Sequence, residues 1–163
     1  MNKIKITFFI LIGIIPFLGC EKDDICVDDG MRLLVIRFYD ATDSTKLKNV
    51  PNLVVRGLVS PDTLGIIPNA ASDSIAVPLR SDFKNTSFVL SQQTTDDSPV
   101  NYDVLTFSYE TKEAFISRAC GFIPNYENLN PSLTTDTDNW IKGIETVNPS
   151  IENSDTAHVK IFH

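Results

Sequence analysis

Two histidines, His158 and His163, are the only imidazoles in the sequence, and they flank a short apolar run at positions of opposite parity. On a strand such positions point to different faces, so a shared metal site or catalytic pair is not expected of them. No HExxH spacing or triad signature surrounds either one, and the plain reading is a surface histidine and a terminal one. Asp136-Thr137-Asp138-Asn139 opens like an oxygen-ligand calcium loop, but the further alternate acids, the central glycine and the closing glutamate are missing. Asp136 and Asp138 are therefore weak metal candidates, with Glu127 or Asp103 as the only helpers, and a capped turn ahead of Trp140 explains the same residues. Arg118-Ala119-Cys120-Gly121-Phe122 sets a cation beside a bend, as a pocket arginine or as a strand that ends in a cystine. Trp140 and Tyr126 offer rings for a sugar-stacking platform, against the simpler reading of core or rim aromatics. No cofactor fingerprint is present, and no cofactor or catalytic residue is assigned.

The three cysteines divide unequally. Cys20 closes an apolar N-terminal run, while Cys26 and Cys120 remain as an even pair. In an oxidising compartment such a pair is most simply a disulfide, and closing a loop of that length stabilises by about 4 kcal/mol in the chain-entropy view. A metal pair or a reactive thiol is the alternative, but neither cysteine has a second Cys or a His at ligand spacing.

The N-terminal run itself is an address. Lys3 and Lys5 precede an apolar stretch over residues 6–15, and Pro16 and Gly19 interrupt its end, which is the pattern of a secretory signal. It falls short of the ~20 apolar residues that a membrane-spanning helix needs. Phe17-Leu18-Gly19-Cys20 resembles the lipobox of bacterial lipoproteins, which implies cleavage before Cys20 and a diacylglyceryl group on its thiol. Glu21-Lys22-Asp23-Asp24 resembles the acidic export signal of surface lipoproteins in Bacteroidota, with Lys22, Asp23 and Asp24 as its residues; an ordinary polar tether on a periplasm-facing anchor is the alternative. The division that follows is a signal peptide over residues 1–19, a lipidated acidic tether over 20–30 and one domain over 31–163.

Without residues 1–19 the chain carries 12 Lys and Arg against 21 Asp and Glu, a balance of −9. Such a surface repels phosphate backbones, and no basic stripe with interleaved aromatics reverses it, so nucleic acid is excluded as an expected partner.

What must position these residues is a β domain. Residues 33–39 alternate apolar and polar, as do 53–57, 75–80, 87–90 and 102–109, with Pro78 marking an edge strand because it cannot donate to a ladder. Ser60-Pro61-Asp62 reads as a turn and residues 64–67 as a short edge piece. Glu110-Thr111-Lys112 reads as the tight connection of a hairpin returning over 114–122, and residues 125–139 as a long polar loop with a helical turn after Asn130 or Thr135. Two further strands over 140–147 and 157–162 close the chain. Seven or eight short strands without a helical period predict an all-β fold, an antiparallel sandwich of immunoglobulin-like or Greek-key type, or a barrel.

Leu33-Leu34-Val35-Ile36-Arg37-Phe38-Tyr39-Asp40, Ser117-Arg118-Ala119-Cys120-Gly121-Phe122, Asp138-Asn139-Trp140-Ile141-Lys142 and His158-Val159-Lys160-Ile161-Phe162-His163 resemble an uncharacterised family of small Bacteroidota outer-membrane lipoproteins. The resemblance implies a lipid-anchored envelope domain and no activity. The expected function is a non-enzymatic module, held to the outer membrane through Cys20, that binds an envelope protein or a glycan. Two rival readings have marks of their own. An envelope hydrolase or metal-dependent enzyme requires a pocket gathering at least two of Asp136, Asp138 and Glu127, and a structural subunit of an outer-membrane complex requires an exposed apolar patch. Asp43-Ser44-Thr45, Asp62-Thr63-Leu64, Asp73-Ser74-Ile75 and Asp155-Thr156-Ala157 also resemble a short O-glycosylation motif of exported proteins in Bacteroidota.

Overall fold

The computed structural model describes residues 25–26, 31–59 and 62–163. Residues 1–24, and with them the signal peptide, Cys20, Lys22, Asp23 and Asp24, lie outside the described residues. The described residues form nine strands in order: β1 (Leu33–Tyr39), β2 (Val50–Val59), β3 (Asp62–Ser72), β4 (Ser74–Pro78), β5 (Asn85–Gln92), β6 (Asn101–Ser117), β7 (Gly121–Leu133), β8 (Gly143–Thr146) and β9 (Val159–Phe162). No helix occurs among the described residues.

The strands form a four-stranded sheet, β4-β1-β9-β8, and a five-stranded sheet, β3-β2-β5-β6-β7. Only the β1–β9 pair is parallel; the other pairs between strands are antiparallel. The sheets do not close on each other, so of the two expected architectures the chain adopts the sandwich.

Alternation explains the layers. Leu34, Ile36 and Phe38 of β1 meet Leu53 and Val55 of β2, Phe88 and Leu90 of β5, and Leu105 and Phe107 of β6 in a single core. Each fully buried side chain of this size contributes roughly 1.5–3 kcal/mol relative to exposure. Pro78 ends β4, the edge strand of its sheet, as its missing N–H requires. At β7, an edge of the five-stranded sheet, Ile151 exchanges backbone hydrogen bonds with Tyr126.

The β6–β7 hairpin departs from the sequence expectation. Glu110, Thr111 and Lys112 are not a turn but mid-strand residues, paired with Glu127, Tyr126 and Asn125. The chain reverses at residues 118–120, and Gly121 takes φ 71°, where a Cβ would be strained. Residues 125–133, expected as loop, continue β7. Its outer neighbour is only the short 149–151 segment, so Pro124 and Pro131 cost few ladder bonds there. β5 pairs with β6 over Asn101–Ser108 only, so residues 110–117 and 121–127 run on past β5 as a two-stranded arm, with Ile123 and Tyr126 still buried.

Candidate functional site

A cleft of about 430 Å³ opens at the end of the sandwich opposite that arm. Gln92, the last residue of β5, and Asn101, the first of β6, are register partners on one wall. Asp138, Asn139, Trp140 and Lys142 form a second wall, and Lys48 and His163 complete the rim.

Asp103 holds the second wall in place. It is fully buried; one carboxyl oxygen accepts the Ile141 backbone N–H at 2.8 Å and the other accepts the Asn139 side-chain amide at 3.1 Å. Asn139 in turn accepts the Asp136 N–H at 2.9 Å, and the Asp136 carboxyl accepts the Asp138 N–H at 3.0 Å. Asn101 donates to the Asp138 carbonyl at 2.6 Å, tying the two walls together. The whole segment is an asparagine- and aspartate-capped loop pinned to β6 by one buried acid.

Both ammoniums at the rim have partners, Lys142 Nζ donating to the Asn139 carbonyl. Lys48 Nζ donates to the His163 carbonyl at 2.8 Å and lies 3.5 Å from Asp40. The Asp40 carboxyl sits well below the usual carboxylate range, chiefly because the Thr42 hydroxyl and backbone N–H donate to it, with Lys48 adding attraction. Burial pushes the His163 imidazole down, and its Nε2 lies 3.3 Å from the Lys48 carbonyl, not from a hydroxyl or thiol. Among the described residues that line the cleft, the His163 imidazole faces no hydroxyl or thiol. The cleft offers ammonium and amide donors with one carboxyl at its edge, a set suited to hydrogen-bonding hydroxyls and carboxylates.

A family model matches residues 52–163, more than half of the chain. The protein belongs to this family of unknown function, DUF6452. No curated protein and no solved structure matches it. The matched DUF6452 stretch holds most of β2 with β3–β9 and every cleft residue except Lys48 and Pro51, and it begins after Cys26 and β1.

Set against this geometry, the expected site residues separate. Of Asp136, Asp138 and Glu127, only Asp138 lines the cleft; Glu127 sits on the arm and pairs with Lys112. Within the loop the Asp136 carboxyl and the Asn139 side-chain oxygen cap backbone N–H groups, and among the described residues no three His, Cys, Asp or Glu side chains come together. His158 is not on the surface. It is buried, and its Nδ1 accepts the Val35 N–H at 3.0 Å, which fixes the neutral tautomer with the proton on Nε2. Trp140 and Tyr126 form no stacking platform, because both are core residues: the indole N–H donates to the Leu90 carbonyl at 3.4 Å and the Tyr126 hydroxyl to the Leu79 carbonyl at 3.1 Å. Arg118 lies in the exposed turn of the arm, away from any pocket. Cys26 and Cys120 are joined as a disulfide, with 4.8 Å between their Cα atoms. Ser44, Thr63 and Thr156 of the Asp-Ser/Thr motifs are exposed, whereas Ser74 is partly buried at the start of β4.

Sequence reasoning missed Lys48, Gln92, Asn101 and Lys142. The one available signal was the loop over 92–99 between two apolar runs, since a hairpin brings its ends together. A second concavity of about 270 Å³ lies between the β2–β3 hairpin and the end of β4, lined by Leu58, Val59, Leu64, Ile66, Leu79 and Phe88. Leu64 is 62% exposed, and Leu58 and Val59 are 38% exposed each.

Proposed function

We propose that this protein is a lipid-anchored domain of the bacterial envelope that binds rather than transforms its partner, with the cleft between Asn101, Asn139 and Lys142 as the binding surface and a glycan as the leading ligand. The observation that carries the reading is the cleft's composition. Its rim carries the amides of Gln92, Asn101 and Asn139 and the ammoniums of Lys48 and Lys142, with Asn139 held in place by the buried Asp103, and such groups can hydrogen-bond a hydroxyl-rich chain. The anchor rests on the Leu18-Gly19-Cys20 pattern, and exposure at the cell surface on Lys22-Asp23-Asp24.

The test has two arms. Protease shaving of intact cells expressing the native chain and a Cys20→Ala variant reads the anchor: the native protein is expected to be shaved from the surface and the variant released in soluble form. Isothermal titration of the purified domain with envelope polysaccharide fragments, repeated with Asn101→Ala and Lys142→Ala, reads the site. Equal heats from native protein and both variants would refute it. An assembly subunit is the second reading, favoured by the exposed Leu58, Val59 and Leu64 around the apolar groove.

A further inference from the structure

The arm formed by β6 and β7 carries an aromatic pair that the fold does not use. Phe115 and Phe122 are register partners with ring centroids 5.3 Å apart, yet they are 58% and 64% exposed. Along β6, Phe115 shares its face with Tyr109, and along β7, Phe122 shares its face with Tyr126; both tyrosines are core residues. The pair therefore continues the core face past the point where the other sheet stops covering it. Ile116 adds a 38% exposed side chain and Ile25 an 81% exposed one, and Arg118 sits in the turn itself.

The disulfide decides what this apolar tip faces. Cys120 is in the turn of the arm, and its partner Cys26 is six residues beyond Cys20 in the sequence. Six residues of any polypeptide reach at most about 20 Å when fully extended. A lipid on Cys20 therefore fastens the arm's tip, and not the cleft, to within that distance of the bilayer surface. Aromatic and aliphatic side chains held there lose contact with water by entering the headgroup and acyl boundary, with a nearby cation suited to the headgroup level.

We infer that the tip of the β6–β7 arm, through Phe115 and Phe122, is a membrane-contacting element that docks on the lipid surface beside the acylated Cys20. This rests on the lipid-anchor reading given above. Insertion of the tip adds a second point of attachment to the acyl chains and sets the orientation of the whole domain.

The only tryptophan of the sequence, Trp140, is 4% exposed in the core and supplies an internal control. The acylated full-length protein, native and with Phe122→Trp, is reconstituted into vesicles of phosphatidylethanolamine and phosphatidylglycerol with and without brominated acyl chains. The Phe122→Trp emission is expected to shift to the blue and to lose intensity in brominated vesicles, while Trp140 in the native protein does neither. Adding Phe115→Ser to Phe122→Trp weakens the quenching, and Cys26→Ser with Cys120→Ser abolishes most of it by unfastening the tip. Intact mass of the same preparation reports the acyl group separately. A chain without acylation at Cys20 overturns the anchor and this inference together. An acylated, vesicle-bound Phe122→Trp chain whose introduced indole stays water-like and unquenched overturns this inference alone.

Discussion

Asp103→Ala is the most telling single change, because one buried acid positions the loop that walls the cleft. The substitution removes the acceptor of the Ile141 N–H, a buried group, and of the part-buried Asn139 amide. A hydrogen bond to a carboxylate contributes about 1.5–3 kcal/mol, and a buried N–H left without an acceptor costs its full desolvation. Asn139 can turn toward water, so its share is small and the expected loss is about 3 kcal/mol. With a urea slope of roughly 2 kcal/mol/M for a chain of this size, the unfolding midpoint falls by about 1.5 M at unchanged slope. Asp103→Asn is expected to cost about half as much. Its carbonyl still accepts one donor, while its amide group confronts the other. Urea titration followed by Trp140 fluorescence reads both, since the indole lies one residue from each contact. A midpoint shift under about 0.3 M for Asp103→Ala, or equal shifts for the two variants, would refute the assignment of Asp103 as the loop's anchor.

Three further outcomes are expected. Reduction of the Cys26–Cys120 bridge, which spans 94 residues, lowers unfolding free energy by about 4 kcal/mol, read as the difference between urea curves with and without reductant; superimposable curves would count against it. Burial lowers the imidazole pKa of His158 below 6.5, so between that folded value and the unfolded one the unfolded chain binds more protons and stability falls as pH drops through that window. His158→Asn keeps an acceptor for the Val35 N–H and is expected to flatten the fall, leaving the part due to His163, whereas an unchanged pH profile would contradict the buried neutral tautomer. Asn52 sits at φ 50° in the β2 bulge and donates to the Gln93 carbonyl, so Asn52→Val costs about 1–2 kcal/mol in thermal or urea unfolding while Asn52→Gly costs less; the reverse order would place the strain elsewhere.

The sandwich was legible wherever a strand has one buried face. In β1, β5 and the first half of β6 the alternation of Leu34, Ile36 and Phe38, of Phe88 and Leu90, and of Leu105 and Phe107 records the core directly. Pro78 announced an edge, and the even cysteine pair announced a bridge. Two stretches were illegible for different reasons: Glu110-Thr111-Lys112 lies beyond β5, where an exposed charged run looks like a turn, and the proline- and asparagine-rich 125–133 of β7 looks like a loop because a bulge at Asn128 breaks the alternation of its buried Tyr126 and Leu129. His158 lacked any local signal, since its partner is the Val35 backbone 123 residues away. The cleft was invisible because its lining comes from separate segments of the chain, and Asp138, Asn139, Trp140 and His163 had attracted attention only as isolated types.

The length of β6 has a mechanical meaning. One continuous strand begins at Asn101 on the rim of the cleft and ends at Ser117, next to the turn that holds Cys120, roughly 50 Å along the chain at strand rise. A pull between the cleft and the disulfide-clamped tip runs along this strand's own axis. It loads the ladders to β5 and β7 in shear, so that many hydrogen bonds bear the force together instead of opening one after another from an end. The strand is one continuous link between the two ends of the sandwich, and a load applied across those ends is carried along it.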